Sequence, residues 1–209
     1  LETSDRRRPE PHDPPLPPGP WTEARRRRAP LGRALSSWLP HRRWYAGKES
    51  TVRDLTIEDT IPLRGTVDAA LLIVRIAFTE GDDHRYAVPV LRATDRLAVQ
   101  IAAEQSGAVI ARLEHGDVLV DAMARPEGAA AVVRAALVRQ TTAGRHGAAR
   151  GAPRRAGIAR SISSDREVQP LSVEQSNSSV LVAHQFIAKL VRRPEPGANP
   201  DAELVDHLR

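Results

Sequence analysis

The strongest constraint on how this chain folds is the nearly continuous apolar run Ala69–Phe78, rich in branched side chains and broken only by Arg75. A run of that length and character suits a central β-strand. Thr79-Glu80-Gly81-Asp82-Asp83 follows as a turn signal, and His84 to Leu91 then alternates, with Tyr86, Val88 and Val90 on one face. Two such runs across a short polar turn predict an antiparallel hairpin. Pro89 has no amide proton to give to a ladder, which predicts that the second strand lies at a sheet edge or carries a bulge.

Further elements surround the hairpin. Leu31, Leu35, Trp38 and Leu39 fall at helical spacing, and Pro40 ends that helix. Val52 to Glu58 reads as a strand. Leu97 to Ala103, Ala108 to Leu113 and Val118 to Met123 are short apolar runs that periodicity leaves open between helix and strand. Pro126 fits a first helical turn, where its missing N–H would have no partner anyway. That helix is expected to reach about Arg139, with Ala130, Val133, Leu137 and Val138 on its apolar face. Pattern returns at Glu167 to Val173, Val180 to Val182 and Phe186 to Val191, all read as strands. Asn199-Pro200-Asp201 carries the signals of a helix start, and Leu204, Val205 and Leu208 follow.

Residues 1–30 hold eight prolines, many charges and almost no apolar pattern. They cannot bury enough surface to offset the entropy of ordering and are expected to be disordered. Thr141 to Ser164 is Gly, Arg, Ala and Ser without a period and reads as a long connection. The expected organisation is an α+β chain in four parts: a tail (1–30), a domain of antiparallel strands flanked by helices (31–138), a connection (139–164) and a second unit of strands and one helix (165–209). The last helix reaches Arg209 without an exit signal, so a truncated element is expected there.

Composition narrows the function classes. With no cysteine, disulfides, thiolate metal sites and cysteine nucleophiles are excluded, and the chain fits a reducing cytoplasm. No apolar run nears the roughly 20 residues of a membrane-spanning helix, and the first 30 residues lack the apolar core of a signal peptide. The net charge of +5 concentrates at Arg6 to Arg8 with Arg25 to Arg28, and between Arg139 and Arg166. These runs lack interleaved aromatics for base stacking, so they read as solvated segments and not as a nucleic-acid surface. His41, His84, His115, His146, His184 and His207 are scattered without ligand spacing, and no metal site is expected. Neither a Gly-x-Ser-x-Gly elbow nor a Walker loop occurs.

One stretch has an order that suits phosphate chemistry. Glu174-Gln175-Ser176-Asn177-Ser178-Ser179 is a small polar loop between two strands, Lys189 sits mid-strand after it, and Glu203 lies on the helix that follows. Backbone N–H groups and hydroxyls of such a loop can lie over phosphate oxygens. A lysine on the return strand can reach those oxygens as a point charge, and a glutamate on the next helix can hold the lysine in place. Spacing alone favours a hairpin with an exposed lysine and a solvated glutamate. His115-Gly116-Asp117 superficially suggests a kinase catalytic loop, but it precedes the lysine strand and lacks a suitably spaced asparagine, so it reads as a turn.

Longer words carry a resemblance. Trp38-Leu39-Pro40-His41-Arg42-Arg43-Trp44-Tyr45-Ala46-Gly47-Lys48 resembles the motif that opens the cap domain of actinobacterial-type maltokinases. Glu174 to Val180, Ile187-Ala188-Lys189-Leu190-Val191-Arg192-Arg193 and Glu195 to Leu204 resemble the lobe sequence of the same family. The resemblance spans about Leu31 to Arg209. It implies a cap domain followed by the first strands and helix of a protein-kinase-like N-lobe. It also implies a magnesium-dependent transfer of the ATP γ-phosphate to maltose, giving maltose 1-phosphate for α-glucan and trehalose metabolism. On that resemblance Gln175, Ser176, Asn177, Ser178 and Ser179 would cover the ATP phosphates, Lys189 would contact them and Glu203 would hold Lys189. The family's catalytic and metal-binding aspartates belong to a further lobe without a counterpart in these 209 residues. The chain alone is therefore expected to be inactive and to bind neither ATP nor magnesium tightly, with a second chain carrying the catalytic lobe, or trehalose synthase, as partner. A stand-alone binding or regulatory module and a nucleic-acid-binding protein are the competing readings. Trp38, Trp44 and Tyr45 are expected to anchor the cap core and not to stack on a sugar, with Gly47 permitting a turn, and Arg42, Arg43 and Lys48 to form a solvated face.

Overall fold

The computed structural model describes residues 25–153, 164–171 and 177–197. Helix α1 (Arg25–Trp38) opens the described chain. It begins at Arg25 and not at Leu31, so the end of the segment expected to be disordered is helical. Leu31, Ala34, Leu35 and Trp38 are buried, and a face anchored by tertiary packing carries the helix back past Pro30, at the cost of one backbone bond.

Strands β1 (Val52–Leu63), β2 (Ala69–Phe78) and β3 (His84–Ala93) follow, then helix α2 (Asp95–Glu104) and strands β4 (Val109–Arg112) and β5 (Val118–Asp121). They form one antiparallel sheet in the order β1-β2-β3-β5-β4. The expected hairpin is β2–β3, with Leu72 opposite Val88 and Val74 opposite Tyr86. The open runs resolve by burial: Ala98 and Ile101 turn inward on a helix, while Ile110 and Val118 to Val120 are buried on strands. His115 and Gly116 both take positive φ, at 64° and 84°, so this segment is a turn as expected.

Strand β3 is central, not an edge, which corrects the expectation from Pro89. The reason is local. Pairing with β5 begins only at Val90, so Pro89 lies where that side of β3 has no ladder. Two residues earlier, on the same side, the Ala87 N–H donates to the Arg192 carbonyl at 2.8 Å.

Both faces of this sheet are buried along part of their length. On one, Ala70, Leu72, Val74, Ile76 and Phe78 join Tyr86, Val88, Val90 and Leu119 beneath α1. On the other, Ala69, Leu91, Ala93, Val118 and Val120 meet Ala98 and Ile101 of α2. Strand β1 runs past Glu58 to Leu63 because register shifts let it change faces. A bulge leaves Glu58 without an opposite residue, so Ile57 packs on the α1 side while Leu63 packs on the other.

Helix α3 (Pro126–Leu137) starts at Pro126 as expected. Gly128 is required there, since a Cβ would lie 2.5 Å from the Ala122 carbonyl oxygen. Val138 is exposed and lies outside the helix. The stretch expected to be a structureless connection contains a two-stranded hairpin, β6 (Thr141–Ala143) and β7 (Ala148–Arg150). The second unit holds β8 (Val168–Pro170), β9 (Asn177–Val182) and β10 (Phe186–Val191), antiparallel in the order β10-β9-β8. Val168, Val180 and Val182 pack on Ala129, Ala130 and Val133 of α3, which also gives Ala131 to the first sheet. One helix thus serves two sheets, through small side chains.

Candidate functional site

The described part of the polar segment singled out by sequence, Asn177 to Ser179, belongs to the second sheet. Strand β9 begins at Asn177, so Asn177, Ser178 and Ser179 belong to a strand and not to the loop expected for them. Gln175, Ser176 and Glu203, with the helix expected after Asn199, lie outside the described residues. The β9–β10 turn is tight, with Ala183 and His184 at φ of 50° and 54°. Its register sets Lys189 directly opposite Ser179, and opposite residues project to the same face of a sheet. Lys189 is exposed. Ser179 is buried, and its Oγ has no hydrogen-bond partner among the described residues. Ile187, two residues before Lys189 and so on its face, is 62% exposed.

The opposite face points inward. Ala188 and Leu190 pack towards α3, and the next residue in that alternation is Arg192, whose side chain is fully buried. Arg192 Nη2 donates to Asp121 Oδ2 at 2.7 Å, and Nε donates to Ser178 Oγ at 2.7 Å. The guanidinium carbon stands 4.6 Å from the centre of the Trp44 ring, within cation–π range. Burial pushes the guanidinium down from its ordinary value, and Asp121 works against that shift. Asp121 Oδ1 in turn accepts from the Met123 N–H at 3.0 Å. Sequence reading missed this cluster. The available signal was alternation: Arg192 continues the inward set of Ala188 and Leu190, although arginines are almost never fully buried unless paired.

The opening motif is core, as expected. Trp38 meets Trp44 edge-on at 5.8 Å, and Tyr45 lies 5.4 Å from Tyr86. Trp38 Nε1 donates to the Gly107 carbonyl at 3.0 Å, and the Ala46 N–H donates to Tyr86 Oη at 3.2 Å. Burial, with Tyr86 beside it, pushes the Tyr45 phenol up to about 12. At Gly47 a Cβ would stand 2.6 Å from Phe78 Cζ, so only glycine fits. Arg42 departs from the solvated face expected of it, lying 4.7 Å over the Trp38 ring.

A second buried acid explains the β6–β7 hairpin. The bulge in β1 turns Asp59 towards the 144–147 turn, where its carboxylate accepts from the Arg145 N–H at 2.6 Å and the His146 N–H at 3.3 Å, as well as from the Thr60 N–H at 2.7 Å. Such converging amides form an anion-binding nest. Burial alone would raise the Asp59 carboxyl, but the amides of Arg145, Thr60, His146 and Gly147 outweigh it and hold it below its ordinary value. Gly144 lies so close that a Cβ would be 2.6 Å from the carboxylate.

Chemically, this face of the second sheet presents the exposed Lys189 side chain, whose ammonium suits phosphate oxygens, beside the buried Ser179 hydroxyl. Among the described residues no three His, Cys, Asp or Glu side chains converge as a metal site would need. No helix among them is long and apolar enough to cross a membrane. The five-stranded sheet, α2 and the aromatic opening motif all lie within the stretch from Trp38 to Ala124, and that stretch, residues 38–124, matches the family model of the maltokinase N-terminal cap domain.

Proposed function

We propose that this chain supplies the cap and the first phosphate-facing strands of a maltokinase-like sugar kinase, which transfers the γ-phosphate of ATP to maltose. One juxtaposition carries the reading. In the unit that follows the matched cap, β10 sets Lys189 across from Ser179 of β9. ATP supplies the phosphoryl group. Lys189 would contact its phosphates, Gln175 to Ser179 would line them, and Glu203 would steady Lys189. Phosphoryl transfer rests on positioning and charge neutralisation. The reading therefore assigns the magnesium-holding and acceptor-orienting groups to a catalytic lobe on another segment or chain. It expects only weak nucleotide binding by these 209 residues. Maltose as the acceptor rests on the cap-domain match.

Titrating magnesium–ATP into isotope-labelled protein tests this by amide chemical shifts. Shifts should appear at Ser178, Ser179 and Lys189 and should disappear in Lys189→Met with the fold intact. No response at these amides, or the same response in Lys189→Met, would remove the basis for the kinase reading. Ile187 and Phe186, 62% and 38% exposed, favour a second reading as a module that docks on another protein. That reading requires the purified chain to unfold in one cooperative transition, and aggregation of the purified chain would refute it.

A further inference from the structure

The second sheet is held to the rest of the molecule in two physically different ways. Its apolar layer sets Val168, Val180 and Val182 on Ala129, Ala130, Val133 and Met123. These side chains are mostly small, and hydrophobic attraction between them is non-directional. Such a layer fixes contact far better than it fixes direction. Arg192 is the opposite case. Its guanidinium meets three segments at once: Asp121 at the end of β5, Ser178 on β9 and Trp44 in the opening motif. Its carbonyl oxygen also accepts the Ala87 N–H from the unladdered side of β3. Each of these contacts is directional, and together they tie the end of β10 to the cap.

A buried ion pair adds little net stability, because desolvation of both charges offsets most of their attraction. Here Arg192 Nη1 is also buried without a partner among the described residues, which adds to the cost. What the pair contributes is geometry. We infer that Arg192 is a positioning residue: the Arg192–Asp121–Ser178–Trp44 cluster, and not the apolar layer, sets the orientation of β10 on the cap. Lys189 lies on β10, three residues before Arg192 just past the strand's end, so the cap determines where the ammonium points. This last consequence rests on the kinase reading; the positioning itself does not.

The test separates position from stability. Arg192→Met leaves Asp121 unpaired and should lower the melting temperature. Adding Asp121→Asn removes the orphaned charge while keeping an acceptor for the Met123 N–H, and should recover most of that loss. In both variants the β9 and β10 amides should exchange about tenfold or more faster than in the wild type, while β2 and β3 keep their protection. The near-UV circular dichroism of Trp44 should change in both. If the double variant regains slow β10 exchange together with its melting temperature, or if Arg192→Met leaves β10 exchange unchanged, the cluster is structural only and the inference falls. Should Arg192→Met fail to fold, Arg192→Lys keeps the charge without the planar fork. Faster β10 exchange in it supports the inference, and wild-type exchange overturns it. ATP-induced shifts in the double variant form a separate arm. If the wild type itself shows none, the kinase reading fails, while the exchange data still decide the positioning.

Discussion

The two sheets of this protein are built on different terms. The five-stranded sheet carries aliphatic rows on both faces and is covered by α1 on one side and by α2 and α3 on the other. The three-stranded sheet covers one face with α3 and leaves Ile187 and Lys189 exposed on the other. The first is held by many interchangeable contacts. The second depends on one helix of small residues and one buried guanidinium. A sheet of the first kind rests mainly on its apolar contacts, whereas the second can keep its core and still lose its orientation.

Substitutions can break or sharpen that contrast. The largest effect is expected in the first sheet. Leu72 is fully buried at its centre, and Leu72→Ala should destabilise the chain by about 2–5 kcal/mol, read from denaturant midpoints. A loss below that range would mean that the sheet repacks and that the contrast is overstated. Next is the acid that docks the β6–β7 hairpin. Asp59→Asn should cost about 1–3 kcal/mol, by weakening several charge-assisted bonds at once. It should also change the pH dependence. The Asp59 carboxyl lies below its ordinary value in the folded chain, so the unfolded chain takes up this proton first as pH falls. The stabilisation is fully present above the unfolded-state pKa, near ~3.9, and is lost as pH drops through the lower folded-state value. Acid titrations of Asp59→Asn should show a flatter acid limb than the wild type, and identical limbs would mean that Asp59 does not hold the hairpin. The smallest effect is expected on the open face of the second sheet. Ile187→Ser should move stability by no more than about 0.5 kcal/mol. A larger loss would show that this face is covered.

How far the sequence could be read depended on how local the determining physics is. The β2–β3 hairpin was legible because apolar runs of strand length flank a polar turn, and α3 because Pro126 marks its first turn. The cap motif was legible as core because the chain has so few aromatics that clustered ones must anchor something. Three features were not legible. The end of β1 was hidden by the bulge at Glu58, which shifts the alternation from one face to the other. The β6–β7 hairpin was hidden because its anchor, Asp59, lies more than eighty residues away in sequence. The place of Pro89 in a central strand was hidden because it depends on where β5 stops pairing. At the candidate site the strand bearing Lys189 was legible, but its register against Ser179 was not, because Asn177 to Ser179 read as a loop and are strand.

By itself the sequence determined the β2–β3 hairpin, the start of α3, the strand bearing Lys189, and that the aromatic opening motif is core. Those properties follow from side chains within a few residues of one another. Only the tertiary structure decided that Arg192 is buried, that Asp121, Ser178 and Trp44 surround it, and that Asp59 closes a distant hairpin. A buried charge is stable only where partners from several segments converge, and no local pattern records that convergence.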